Sequence, residues 1–197
     1  KIAFGSVHAF ARAFMSDDES EEEVEDDPRI MDVLTYSNRH TESEVVEYLK
    51  QLGGQDAVIY KVTFPNKPAH AQVHFCFQGA VCLDCEAEVP PQLKEKKALL
   101  KQFVGGDEDI MKALVLMLEL FYKEERSSVL EEGSKEVGEA LRVLWEMDAL
   151  EQNIIEAWHE NEVALQEFYP PFFSLELAIA TRESARDFVI WLQEGED

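Results

Sequence analysis

Residues Ile110 to Tyr122 read IMKALVLMLELFY and carry apolar side chains on almost every side of a helix. A helix with one apolar stripe lies on a surface, but one that is apolar all round has to be wrapped by others. That requirement constrains the whole chain, which must supply the wrapping helices. Asp107 or Asp109 opens this central helix, and Gly105-Gly106 closes the one before it.

The surrounding text supplies them. Thr41 and Glu44 form a capping box, Val45, Val46, Leu49 and Leu52 make one face, and Gly53-Gly54 is a stop. Residues 57–64, AVIYKVTF, alternate loosely and read as a short strand or extended turn before Pro65 and Pro68. Ala69 to Leu83 is helical in texture, and Pro90-Pro91 starts a further helix, QLKEKKALLKQF. Gly133-Ser134 breaks the chain before helices over Lys135–Met147 and Glu151–Glu160. Pro170-Pro171 precedes another helical stretch and a terminal helix over Thr181–Asp197. Ala185, Phe188, Val189 and Leu192 share one face of that last helix; Trp191 flanks it and Ile190 points nearly opposite. The expectation is an all-α fold of roughly seven or eight helices of about 10–16 residues. Pairs of about 40 residues suggest stacked antiparallel helical hairpins of the HEAT kind.

Three regions follow. Residues 1–15, KIAFGSVHAFARAFM, form a short amphipathic segment whose Phe4, Val7, Phe10, Ala11 and Phe14 share a helical face and dock on the domain or on a partner. Residues 16–40 are an acidic linker and lead-in: nine of the eleven residues from Asp17 to Asp27 are acidic, which leaves nothing to fold and predicts disorder. Ser16 and Ser20 stand in a context that acid-directed kinases favour, and a solvated spacer is the alternative. Residues 41–197 are the helical domain. The chain begins at Lys1 rather than Met and so reads as a fragment.

The net charge is −23, from 41 acidic against 18 basic residues. Such a chain is repelled by a nucleic-acid backbone and by an anionic membrane, so neither is expected as a direct partner. A partner with basic segments is. No apolar run is long enough to span a bilayer, and the first residues do not read as a secretory signal. Three cysteines in one short stretch, Cys76, Cys82 and Cys85, are no disulfide framework and suit a reducing compartment; a cytoplasmic location is expected.

Catalytic chemistry finds no support. His70, His74, Cys76, Cys82 and Cys85 invite a zinc reading, yet there is no second Cys-x-x-Cys and the segment reads as a continuous helix, so no metal is expected. The Gly-Gly pairs lack the Lys-Ser or strand-to-helix context of a phosphate loop, and no Gly-x-Ser-x-Gly elbow occurs. His159 reads as a solvated histidine among acids. No catalytic residue and no cofactor are expected.

Charge distribution is more informative. Between Val143 and Glu162 stand six acids (Glu146, Asp148, Glu151, Glu156, Glu160, Glu162) and no Lys or Arg, with Trp145 and Trp158 among them. The terminal helix repeats the combination with Ile190, Trp191, Glu194, Glu196 and Asp197, whereas Lys94, Lys96, Lys97 and Lys101 form a basic patch on one helix. Aromatic anchors ringed by carboxylates suit a lysine-rich ligand, since a ring facing an ammonium contributes about 0.5–2 kcal/mol and rim charges steer encounter. The competing reading, tryptophans in the core and acids as a solvated face, stays open for each Trp alone.

Residues 141–160, LRVLWEMDALEQNIIEAWHE, resemble the first acidic-aromatic box of the HEAT domain that ends eukaryotic translation initiation factor 5. The same domain ends the epsilon subunit of initiation factor 2B and the factor 5 mimic proteins. Leu144, Asp148, Leu150, Glu151, Ile155 and Trp158 carry that likeness. Residues 188–197, FVIWLQEGED, resemble the second box through Phe188, Trp191, Leu192, Gln193 and Glu194. Gln152 and Asn153 stand where the family has Glu, and Ile190 where it has an acid. The resemblance implies a non-catalytic module that captures the lysine-rich tail of the initiation factor 2 beta subunit and contacts initiation factors 1, 3 and 4G. Such a module assembles the 43S preinitiation complex on the 40S subunit and supports start-codon selection and GTP hydrolysis on factor 2. Two alternatives stand beside it: the nucleotide-exchange epsilon subunit, and a helical scaffold unrelated to translation.

Overall fold

The computed structural model describes residues 27–52, 57–59, 62–64, 68–160 and 175–195, with side chains over 27–52, 68–160 and 178–195. The segment expected over residues 1–15, Ser16 and Ser20, and the Gly53-Gly54 and Pro170-Pro171 breaks lie outside the described residues. The fold is all-α and HEAT-like, with ten α-helices and one two-stranded hairpin among the described residues.

The domain begins earlier than expected. Residues 28–40, read as lead-in, hold α1 (Pro28–Ser37), which buries Ile30 and Val33. Its start is locally encoded: Pro28 sits in the first turn, and the Asp27 carboxylate accepts from the Arg29 amide at 3.0 Å while also binding the Arg29 guanidinium. The acidic run just upstream obscured that cap.

Helix α2 (Glu42–Leu52) carries the expected capping box. The Glu44 carboxylate accepts from the Thr41 amide at 2.9 Å and from its hydroxyl at 2.8 Å, and all four predicted face residues are buried. The ambiguous stretch after it is a hairpin, not one strand. β1 (Ala57–Ile59) pairs antiparallel with β2 (Val62–Phe64), with Ala57 opposite Phe64 and Ile59 opposite Val62.

The helix expected over Ala69–Leu83 changes character midway. α3 (Pro68–Phe75) continues as a π-helical segment, Cys76–Val81, which ends where the Cys82 amide bonds to the Phe77 carbonyl at 2.9 Å and Cys82 turns to φ 51°. Gly79 lies in this segment directly against Val33 of α1. The single basic helix is two: α4 (Val89–Glu95) and α5 (Lys97–Val104) meet at Lys96, whose φ −97°, ψ 13° interrupts the helix. Gly105, at φ 54°, terminates α5 as expected.

Helix α6 (Glu108–Glu125) is the central one. The Asp107 carboxylate caps it by accepting the Asp109 and Ile110 amides at 3.0 and 3.2 Å, and every residue from Ala113 to Tyr122 is buried. Helices α3, α7 (Ser127–Glu131, not anticipated), α9 (Gln152–Glu160) and α10 (Leu175–Glu194) pack around it. α8 (Glu136–Glu146) lies between α4 and α10. The terminal helix thus starts at Leu175, six residues before the expected Thr181, which is fully buried within it.

One buried ion pair ties the loop before α4 to α6–α8. Arg126 bonds Glu136 at 2.7 Å and donates to the Ala87 carbonyl at 2.8 Å, while Glu136 also accepts from the Val89 amide at 2.9 Å and the Tyr122 hydroxyl at 3.2 Å. With every charge partnered, the desolvation cost is offset locally. Among the described residues no helix is long and apolar enough to cross a membrane.

Candidate functional site: an acidic aromatic cleft

The two acidic-aromatic segments meet because α8 and α10 run side by side in the same direction. Ser184 donates to the Ser134 carbonyl, Lys135 pairs with Asp187, and Gly138 sits 3.2 Å (from an added Cβ position) from the Phe188 Cβ. About two turns further along α8, Trp145 meets Phe188 and Trp191, with ring centroids 6.5 and 5.6 Å away, and Phe188 stacks on Trp191 at 5.9 Å. These three rings are half-buried against the core. Edge-to-face and offset contacts of this kind suit the ring quadrupoles and rigidify the cluster. Arg142 lies over the Trp191 ring at 5.3 Å and pairs with Glu146 at 2.8 Å.

Helix α8 ends beside this cluster in a tight left-handed turn. Asp148 adopts φ 60°, its amide bonds the Trp145 carbonyl at 2.9 Å, and the Ala149 amide bonds the Leu144 carbonyl at 2.9 Å. This is a Schellman closure, in which Gly is usual and Asp is tolerated. Asp148 thereby projects its carboxylate into solvent above a cleft of about 770 Å³, walled by Met111, Trp145 and Leu150 and rimmed by Glu146, Glu151 and Lys101. Lys101 reaches across from α5 and donates to Asp148 at 2.6 Å. That hydrogen bond, then the Lys101 charge, holds the Asp148 carboxyl below its usual pKa, with Lys97 adding a smaller push in the same direction. Glu151 is exposed at the start of α9 and makes no ion pair among the described residues.

The other predicted site residues divide. Glu156 accepts from Gln152 at 2.8 Å, and Glu160 accepts from Gln193 at 3.5 Å. Gln152 also donates to the Leu192 carbonyl at 3.1 Å. A residue that departs from the resemblance thus ties α9 to α10. Ile190 is 40% exposed and Glu194 is exposed, on the outer side of α10; Glu196 and Asp197 lie outside the described residues.

Trp158 is a correction. It is 1% exposed, and its indole N–H donates at 2.9 Å to Glu119, itself buried in the middle of α6 and bonded by Arg182 at 3.3 Å. Its ring is enclosed by the core and offers no face to a ligand. The basic patch is also redistributed. Lys94 and Lys97 are exposed, Lys96 is half-buried at the break, and Lys101 is engaged with the acidic segment.

Nothing in sequence spacing signals the Lys101–Asp148 bridge, which spans 47 residues. Met111 belongs to the apolar central helix and also forms part of the cleft wall. The Arg142–Glu146 pair, by contrast, follows from i, i+4 spacing alone. Of the zinc candidates, His70, His74 and Cys76 are buried, and burial drives the Cys76 thiol far above its ordinary pKa. Among the described residues no group of three or more His, Cys, Asp or Glu side chains converges to hold a metal ion.

No family model and no curated protein sequence matches this chain. Among solved structures the chain is similar to one titled "The C-terminal Domain of Translation Initiation Factor 5 at low pH", at 19% identity and a TM-score of 0.56, over 85% of this chain and 89% of that one. The likeness is one of fold: this chain has the helical architecture of that domain.

Proposed function

We propose that this chain is a non-catalytic binding module of the translation initiation factor 5 type, which captures lysine-rich segments of other initiation factors at the acidic aromatic cleft. The observation that carries this reading is the convergence of two segments distant in sequence. Trp145 of one and Phe188 and Trp191 of the other form a single cluster, with Glu146, Asp148 and Glu151 along its cleft. A lysine-rich strand suits that surface, because its methylenes lie along apolar walls while its ammonium groups reach carboxylates. The net charge of −23 favours fast encounter with such a strand.

On this reading the principal ligand is the lysine-rich tail of the initiation factor 2 beta subunit. Further contacts reach initiation factors 1, 3 and 4G, in the cytoplasm, during assembly of the 43S preinitiation complex. The module supports start-codon selection, and any GTPase-activating chemistry resides outside this chain. The test is the double substitution Glu151→Lys with Glu194→Lys. Capture of a lysine-rich peptide by the wild-type chain, weakening as salt rises, is the expected baseline. The double variant, with unchanged helicity by circular dichroism, is expected to lose it. Undiminished capture by that variant sinks the reading.

A further inference from the structure

The cleft already holds a lysine of its own. Lys101 comes from α5, a different helical pair from the one that carries Asp148, and its ammonium rests 2.6 Å from the Asp148 carboxylate at the mouth of the cleft. Both side chains are well exposed, at 53% and 77%, so nothing steric fixes the pair and an incoming cation can reach it. Along the same rim, Glu146 is paired with Arg142, and Glu151 has no cation on it among the described residues. The cleft therefore presents one open carboxylate, at Glu151, beside one that is provisionally occupied, at Asp148.

We propose that Lys101 is an intramolecular competitor that gates the cleft. A partner's lysine first engages Glu151 and then exchanges with Lys101 on Asp148, and the released Lys101 rejoins the basic patch of Lys94 and Lys97. This inference rests on the proposed capture of lysine-rich segments. It adds that the resting affinity is held down by the chain's own cation, so that a ligand with a single lysine is selected against and one with several closely spaced lysines is favoured. An exposed ion pair contributes little, so the gate is expected to change affinity by roughly two- to five-fold. It tunes the site without closing it.

Removing Lys101 also removes a positive charge from the neighbourhood, and the test has to separate contact from field. Lys97 provides the control: it is exposed and acts on Asp148 through its charge but makes no hydrogen bond to it. Binding of a fluorescent oligolysine peptide to the full chain is measured for wild type, Lys101→Met, Lys97→Met, Asp148→Asn, and Lys101→Met with Asp148→Asn. The expected result is a two- to five-fold gain for Lys101→Met, a smaller one for Lys97→Met, and no gain from Lys101→Met once Asp148 is Asn. Carboxyl resonances followed by NMR should show the Asp148 pKa rising in Lys101→Met and falling again when a lysine of the bound peptide takes the place of Lys101. Equal gains for the two lysine variants, or a gain that survives Asp148→Asn, overturn the gate while leaving peptide capture intact. Absence of capture by the wild-type chain overturns capture and gate together.

Discussion

Trp158 and Trp191 show how little a residue's sequence neighbourhood says about its role. Both stand beside carboxylates, and nothing in their local spacing separates them. The difference lies in Glu119, 39 residues from Trp158, which buries its carboxylate in α6 and requires a donor there. Losing that donor removes a hydrogen bond from a buried carboxyl group, so Trp158→Phe is expected to lower stability by about 2–4 kcal/mol in urea denaturation. Trp191→Ala should cost about 1–2 kcal/mol, because the ring is only half-buried, and it should weaken peptide capture while the domain stays folded. Unfolding of the Trp191 variant would assign that ring to the core and remove it from the site. The two acidic segments were thus legible as a pair, whereas the ring that faces inward was not. The same holds for Asp148, where an acid is legible but the left-handed turn and its Lys101 partner are not.

Element boundaries were legible where a local device sets them and illegible where packing does. The Thr41–Glu44 box, the Asp107 cap and the Gly105 stop each satisfy orphan backbone groups with neighbours a few residues away, and each stands where the pattern put it. The break at Lys96 and the π-helical segment Cys76–Val81 have no such local mark; they are imposed by what the elements must fit against. Gly79 makes the second case concrete. A Cβ at that position would lie 2.7 Å from both Cβ and Cγ1 of Val33 and 3.0 Å from the Ile30 carbonyl oxygen. Those atoms belong to or adjoin the α1 backbone and have little room to yield. Alanine normally gains about 0.5–1 kcal/mol over glycine in a helix, yet Gly79→Ala is expected to cost about 1–3 kcal/mol net because α1 must back away from the π-helical segment. Urea denaturation measures the loss, and faster tryptic cleavage at Arg29 would report that α1 is the element displaced. An unchanged midpoint would mean that the close approach is not maintained in solution.

At the scale of the whole molecule, two enclosed groups pull the pH dependence of stability in opposite directions. His74 is buried between α3 and the start of α1, where burial, opposed by Asp27 and assisted by Arg29, lowers its pKa to about 4. The unfolded chain then takes up a proton near 6.5 that the folded chain refuses until about 4. This contribution is complete above pH 6.5 and is lost as pH falls through that window, on the order of 3 kcal/mol in all. Glu125, at the end of α6, has its pKa raised to about 7 by burial and then by Glu124, and neither carboxylate oxygen has a hydrogen-bond partner. Here the folded state holds the proton more tightly, so its contribution is present below the ordinary 4.5 and is lost as pH rises toward 7. Glu125 is only partly enclosed, and solvent screening reduces its share. The wild-type curve therefore combines an acid loss from His74 with a smaller neutral-side loss from Glu125. His74→Phe should flatten the fall between pH 6.5 and 4 and leave stability above pH 7 nearly unchanged. Glu125→Gln should raise stability at pH 7.5 and have no effect at pH 4. Urea midpoints across pH for the two variants check both limbs, and a His74→Phe curve parallel to wild type would show that acid loss comes instead from the many paired surface carboxylates.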